Sequence, residues 1–376
     1  MDAELQLVAE LLEKARQPEE VFGTLTGNQA EALRAVYRKL TKVAHPDRYA
    51  NPQDQALAEK AFRALQTWLE RAEEKLKTES YGDTTAPATP LPSVLVRSRK
   101  GEYLVHGDPF AQGDLCYLYH CTASLHGKDS AAIFKTARYP SDNDLVANEA
   151  AILDFLAAGK GYGQFQAYLP QLMDSFSYRD PTSSAPRMVN VLAFEPGIYY
   201  SLPEVRAHYQ HGIDPKDMAW IWRRLLIALS FAHTNGVIHG AVLPTHLLIE
   251  PEHHGLVLID WSYALHEPEP DEYIPAISRD YEAWYPPEVL AKEQPLPATD
   301  LYQSAQCMVY LLGGDPISGA LPDSVPKRIQ AFFRGTLLKG PAQRPQEALG
   351  LLDEFTSLIE SLWGPRRFRS FYLPKK

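Results

Sequence analysis

Arg38, Lys39 and Lys42 sit on a run whose apolar residues Leu33, Val36, Tyr37 and Leu40 recur at helical spacing. That spacing places the three cations near one face. His45-Pro46-Asp47 follows directly. Pro46 has no amide hydrogen and cannot continue the helix, so an imidazole and a carboxylate are presented at a forced turn. A plain helical hairpin whose loop contains a turn-forming Pro-Asp would also show this arrangement. Further along, Lys135 lies in the β-rich run Ala131 to Thr136, and Asp260 follows the apolar run Gly255 to Ile259. A positioned lysine and a metal-binding carboxylate are two of the few parts that phosphoryl transfer needs, beside a loop over the phosphates and a base.

The elements that must position these groups divide at a linker. From Ala3 to about Tyr81 the pattern is helical, with Leu5, Val8, Leu11 and Leu12 at helical spacing and Leu57, Phe62, Leu65, Trp68 and Leu69 on one stripe of a long helix over Gln53 to Lys77. Residues 82–93 contain three prolines and no helical stripe, the composition of a semi-rigid linker. Beyond Val94 come strands at Glu102 to Val105, Leu115 to Cys121 and Ala131 to Thr136, then a helix near Asp144 to Ala157. Two further strands follow, Gln171 to Tyr178 and Met188 to Phe194. After Pro215 the chain is mainly helical, interrupted by paired strands at Leu247 to Glu250 and Gly255 to Ile259. The expected organisation is a helical domain over 1–81, the linker, a larger β-then-α domain over 94–363, and a basic aromatic tail over 364–376.

Composition narrows the function classes. The chain has 376 residues, enough for two or three domains at about 150 residues each. With 45% hydrophobic and 22% charged residues, it can bury an ordinary core, which excludes wholesale disorder. The net charge of −10 argues against a general nucleic-acid binder. No apolar run approaches the roughly 18 residues of a membrane helix, and Met1 to Glu20 is too polar for a signal peptide. Three cysteines without a CxxC pair fit a reduced, cytoplasmic and zinc-free setting. Adjacent His253 and His254 would point to opposite faces of a strand and read as loop solvent contacts, not a metal site.

The basic helix followed by His45-Pro46-Asp47, set between two amphipathic helices over about residues 20 to 78, resembles the J-domain of DnaJ-type cochaperones. The resemblance implies that Arg38, Lys39 and Lys42 dock on a DnaK-type heat-shock chaperone. It further implies that His45, Pro46 and Asp47 trigger that chaperone's ATP hydrolysis. Val21-Phe22-Gly23-Thr24-Leu25 only loosely resembles the family's first-helix signature.

Over roughly residues 100 to 360 the chain resembles a protein kinase. Ala131-Ala132-Ile133-Phe134-Lys135 is similar to the strand bearing the phosphate-binding lysine, and Glu149 lies where that lysine's partner is found. Ile259-Asp260-Trp261-Ser262 resembles the metal-binding Asp-Phe-Gly turn, and Tyr285-Pro286-Pro287-Glu288 the end of the activation segment. Asp300 resembles the aspartate that braces the catalytic loop, and Arg344 the late arginine that pairs with the glutamate, here Glu288. By resemblance, Gly113, Lys135, Glu149 and Asp260 would form an ATP site, with magnesium on Asp260.

The departures from that pattern bear on function. In Ile238-His239-Gly240-Ala241-Val242-Leu243-Pro244-Thr245-His246, His239 survives as framework, but Ala241 replaces the base and His246 the asparagine that would bind a second magnesium. A methyl group cannot accept a proton, and imidazole is a poor ligand for a hard cation. Over Ala111 to Cys116 only Gly113 of the loop glycines remains, and Asp114 adds a negative charge where phosphates would come. The pattern resembles a pseudokinase. The retained trio then either binds a nucleotide or merely holds the two lobes together. Trp284 and Tyr285 read as a partner surface or packed plug, Tyr273, Ser278 and Tyr281 as modification sites by location alone, and the tail as solvated or packed back on its own domain.

The expected fold class is therefore multidomain: an all-α helical hairpin domain followed by a bilobal α+β kinase-like fold. The expected function is a cochaperone whose kinase-like domain selects a client. The alternatives are an atypical ATP-dependent kinase or nucleotidyl transferase, or an ATP-responsive scaffold.

Overall fold

The computed structural model describes residues 2–15, 17–23, 25, 29–49, 51–77, 81, 93–179, 185–194 and 199–374. The chain forms two compact units, 1–89 and 90–376. The linker expected over 82–93 falls outside the described residues except for Ser93.

The first unit is helical. Helix α1 (Ala3–Lys14) starts at Asp2, whose carboxylate accepts from the backbone N–H groups of Glu4 and Leu5 and so satisfies donors that the helix leaves open. A short α2 (Pro18–Phe22) leads to α3 (Gln29–Ala44) and the long α4 (Pro52–Lys77). Between α3 and α4 the chain makes the turn that Pro46 forces, a single 3₁₀ turn over Pro46–Arg48. Of the predicted apolar positions Leu5, Val8, Leu12, Leu33, Leu65 and Trp68 are buried together, Leu57, Phe62 and Leu69 are partly buried against them, and Leu11 is exposed instead. Trp68 Nε1 donates to the Leu12 carbonyl at 3.2 Å, giving the one polar atom of that ring a partner.

The second unit opens with a seven-stranded antiparallel sheet. Its strands are β1 (Val94–Arg97), β2 (Gly101–Val105), β3 (Ala111–Gln112), β4 (Cys116–Leu125), β5 (Lys128–Ala137), β6 (Leu172–Tyr178) and β7 (Arg187–Ala193). The order is β1-β2-β4-β5-β7-β6, with β3 also paired to β4. Between β5 and β6 run α5 (Asn143–Ala157) and a short α6 (Tyr162–Phe165). Then follow β8 (Tyr200–Ser201), α7 (Leu202–His208), α8 (Pro215–Thr234), β9 (Val237–Ile238), β10 (Leu247–Glu250), β11 (Gly255–Leu258) and β12 (Leu265–His266). The unit ends with α9 (Pro287–Leu290), α10 (Pro297–Leu311), α11 (Lys327–Thr336) and α12 (Ala348–Trp363). Strands β10 and β11 pair antiparallel as expected, from Leu247 with Leu258 to Glu250 with Gly255. The helical half surrounds a core in which Met218, Trp222, Leu225, Met308, Phe333 and Phe355 are buried. Among the described residues no helix is long and apolar enough to cross a membrane.

Packing bears on two expectations. Residues 364–374 follow the second of the two readings of the tail, packed back on its own domain: Phe371 is buried in the core of the second unit, and Arg369 pairs with Asp214 and Asp217 at 3.2 and 3.5 Å, while Phe368 and Tyr372 stay exposed. Lys375 and Lys376 lie outside the described residues. His254 is likewise no solvent contact. It is buried and stacked flat on Trp220, with ring centroids 4.1 Å apart, while only His253 is exposed.

Candidate functional site

In the first unit the sequence-predicted docking residues come together at one end of the α3–α4 hairpin. Arg38, Lys39 and Lys42 are exposed on α3, because Leu33 and Ala44 turn the other face into the core. Arg48 Nη1 donates to the Lys42 carbonyl at 3.3 Å, and the Tyr49 hydroxyl donates to the Val43 carbonyl at 2.7 Å. Both bonds satisfy carbonyls that the last turn of α3 leaves open, which fixes the turn against the helix. His45 is exposed at the head of the turn, its ring edge-on to Phe62 of α4 at 5.7 Å. Pro46 and Asp47 contribute backbone to the turn; the Asp47 side chain lies outside what is described.

In the second unit, Lys135, Glu149 and Asp260 meet although they come from β5, α5 and the turn after β11. Lys135 Nζ donates to Glu149 Oε1 and to Asp260 Oδ1, each at 2.8 Å. Lys135 and Glu149 are buried. Burial alone would lower the lysine pKa, but the carboxylates of Asp260 and Glu149 hold it well above its ordinary value. Burial alone would raise that of Asp260, but Lys135 and His246 hold it well below the carboxylate range.

Every oxygen of the two acids is engaged. Glu149 Oε2 accepts from Asn190 Nδ2 at 2.9 Å. Asp260 Oδ1 also accepts from the Ser262 hydroxyl at 2.8 Å, and its Oδ2 lies 3.3 Å from His246 Nε2. The other nitrogen of His246, Nδ1, donates to the Ala241 carbonyl at 2.8 Å. Asp260 adopts left-handed backbone, φ +64° and ψ +68°, an unfavourable conformation for a residue with a Cβ that its side-chain contacts hold in place.

Asn148 ties α5 to this turn by donating from Nδ2 to the carbonyls of Ser262 and Ala264, at 3.1 and 2.9 Å. Sequence reasoning missed Asn148 and Asn190 and gave no bonding role to His246 or Ser262. Asn190 is directly opposite Lys135 across β5 and β7, so the strand pairing was the one signal that could have found it.

The position of the missing base is filled. Ala241 is fully buried in an apolar cluster with Leu243, Tyr263, Ile274, Tyr285 and Val289. A Cβ on neighbouring Gly240, at φ +75°, would lie 2.4 Å from Ile274 Cδ1, so the loop fits only this glycine. Tyr285 is part of this plug, whereas Trp284 is only partly buried.

His239 is structural. Its Nε2 donates to the Ile259 carbonyl and its Nδ1 accepts from the Ala241 N–H, both at 3.2 Å, which defines a neutral ring. Burial pushes its pKa down to about 4. Asp300 braces the loop, accepting from the N–H groups of His239 and Gly240 at 2.8 Å each. Glu288 and Arg344 form a buried bidentate pair at 2.6 and 3.0 Å.

Gly113 sits in the turn between β3 and β4, its N–H donating to the Cys116 carbonyl. The Asp114 carboxylate has a partner within the protein. It accepts from the Ser278 hydroxyl at 2.5 Å, and Leu115 packs on the apolar plug. The loop lost its glycines and gained a side chain that bonds the segment facing it. Ser278 is thereby buried, which removes the accessibility its reading as a modification site needs; Tyr273 remains exposed.

These residues do not fit a two-magnesium phosphoryl-transfer centre. Such a centre needs free hard oxygen donors. This site offers one aspartate whose oxygens already face a lysine, a serine hydroxyl and a histidine.

Part of the chain is similar to known kinases. The chain is 35% identical over 75 residues, 20% of its length, to "Casein kinase II subunit alpha'" of Saccharomyces cerevisiae. It is 32% identical over 111 residues, 28% of its length, to "Serine/threonine-protein kinase F" of Synechocystis sp.. It spans about a fifth of the length of each, 21% and 22% respectively. No family model matches the chain. The chain thus combines an N-terminal helical region with a kinase-like region of curled antiparallel sheet and helices.

Proposed function

We propose that the chain is a recruitment protein: a J-domain-type helical unit that engages a DnaK-type chaperone, joined to a kinase-like unit that binds a client or complex without transferring phosphate. The observation that carries the first half is the hairpin end, where exposed Arg38, Lys39, Lys42 and His45 flank a turn fixed by Arg48 and Tyr49. The second half rests on the apolar plug around Ala241, which leaves no group to accept a hydroxyl proton. The mechanism is allosteric. The basic face steers an acidic surface of the chaperone into contact, the His45-Pro46-Asp47 turn engages it, and the tether raises its effective concentration at whatever the second unit holds. Binding of the full chain to an ATP-loaded DnaK-type chaperone, measured by calorimetry, tests this. Lys39→Glu with Lys42→Glu should abolish it, and binding that survives both charge reversals would contradict it.

The kinase similarities and the intact Lys135–Glu149–Asp260 set favour a second reading for the second unit, a domain that responds to ATP. Ligand and protein would compete there, because Asp260 cannot serve a nucleotide-bound cation while held by Lys135 and His246. Thermal stabilisation by Mg-ATP that disappears in Lys135→Ala would support this reading. No shift at millimolar ATP would remove it.

A further inference from the structure

A cavity of about 720 Å³ opens on the second unit between α8, α12 and the chain after α12, on residues that take no part in the Lys135–Asp260 site. Its wall carries Lys216, Arg223, Arg224, Arg366, Arg367 and Arg369. Among the described residues Arg369 pairs with Asp214 and Asp217, Arg366 lies 4.0 Å from Glu360, and Glu360 and Asp217 also attract Arg223 and Lys216 from farther off, so three carboxylates face six cations. Arg224 is spent on neutral oxygens, those of Tyr168 and the His254 carbonyl. Concentrating an excess of cations in one concavity of a chain with net charge −10 costs repulsion that an anion would relieve. Arg223 shows that cost: burial first, and then the neighbouring Arg366, lower its pKa, and Glu360 only partly opposes them.

Two residues of the wall carry buried donors, Arg223 Nη2 and Trp220 Nε1, that have no hydrogen-bond partner among the described residues. Buried donors without partners are rare, and a small rotation of either side chain toward the cavity would let a ligand atom satisfy them. The wall also has an aromatic side. Trp220, His254 and Phe368 stack in a column, with centroid separations of 4.1 and 4.5 Å and interplanar angles of 5° and 24°. Phe368 ends the column and is 68% exposed, so its outer face is open to a further ring.

We infer that this cavity binds a small phosphate-bearing ligand with a planar ring, a mononucleotide, its ring on Phe368 and its phosphate among Arg223, Lys216 and Arg367. Neutral rings without phosphate would gain only the stack, and inorganic phosphate only the cations. A concave site of this volume suits one such molecule.

Calorimetric titration of the full chain with adenosine 5′-monophosphate, adenosine and inorganic phosphate tests the assignment. The monophosphate should bind more tightly than either part. Phe368→Ala should weaken it by about tenfold or more, as expected for loss of a base–aromatic stack. Arg367→Ala should weaken it several-fold. Both Phe368 and Arg367 are exposed, so their variants keep the fold, which circular dichroism would verify. Four results would overturn the inference: no heat up to about 1 mM ligand, equal affinity for phosphate and monophosphate with no effect of Phe368→Ala, monophosphate binding that neither Phe368→Ala nor Arg367→Ala weakens, or binding of single-stranded oligonucleotide without any of the monophosphate.

Discussion

At the end of the helical hairpin, Arg38, Lys39, Lys42 and His45 face water around a core that does not need them. In the kinase-like unit the opposite holds: Lys135 and Glu149 are buried, Asp260 is bonded to Lys135, and the Glu288–Arg344 pair is enclosed by protein. The same residue types thus do different work. Exposed charges contribute little to stability and are available to a partner. Buried paired charges are available to a ligand only if the fold gives up the pair, and removing one partner leaves the other uncompensated. A retained lysine–glutamate–aspartate set is therefore compatible with both a working nucleotide site and a structural clamp. The groups around it are what separate the two readings, namely the filled Ala241 position, His246 on Asp260 and Asp114 on Ser278.

Four measurements would break or sharpen this contrast. Lys135→Ala should cost the second unit about 3–5 kcal/mol in denaturant unfolding, the usual loss when a buried pair is broken. A much smaller loss would show that Glu149 and Asp260 find water or protons readily. Ala241→Asp, which restores the residue type of a catalytic base, should destabilise the unit and confer no transfer of labelled phosphate to a protein substrate. The carboxylate would enter an apolar plug without a partner. Recovered transfer would contradict the account of the site.

The third concerns pH. The folded pKa of His239 lies below its unfolded value, so the unfolded chain binds the extra proton between about pH 6.5 and 4. Stability is then complete above that window and falls as pH drops through it, with a limiting slope of about 1.4 kcal/mol per pH unit and a total on the order of 3 kcal/mol. Urea unfolding of His239→Gln against pH should show a shallower decline. Parallel curves would assign the acid sensitivity elsewhere. Asp260 acts in a lower range: its depressed pKa stabilises the fold fully above the normal carboxylate value, and that effect is lost progressively as pH falls below it. The smallest effect is expected for Arg38→Ala, within about 0.5 kcal/mol of the parent.

Much of the fold was legible. The helix stripe through Leu65 and Trp68, the Pro46 turn and the β10–β11 pair follow from periodicity and turn chemistry that act over a few residues. Short strands such as β3 and β8 were not legible, since two residues carry no period and form only because a neighbour offers a free edge. The site divides the same way. Lys135, Glu149 and Asp260 were found by order along the chain, whereas Asn148 and Asn190 act on partners 41 to 116 residues away, through contacts that no local pattern encodes. The same holds for Asp114: its charge was visible, but its bond to Ser278, 164 residues on, was not.

The most direct test of the central claim is single-turnover ATP hydrolysis by a DnaK-type chaperone in the presence of the full chain and of its His45→Gln variant. His45 is exposed and outside the core, so the variant should fold like the parent. The account predicts stimulation by the parent that vanishes in the variant. Equal stimulation by both, or none by either, would contradict it.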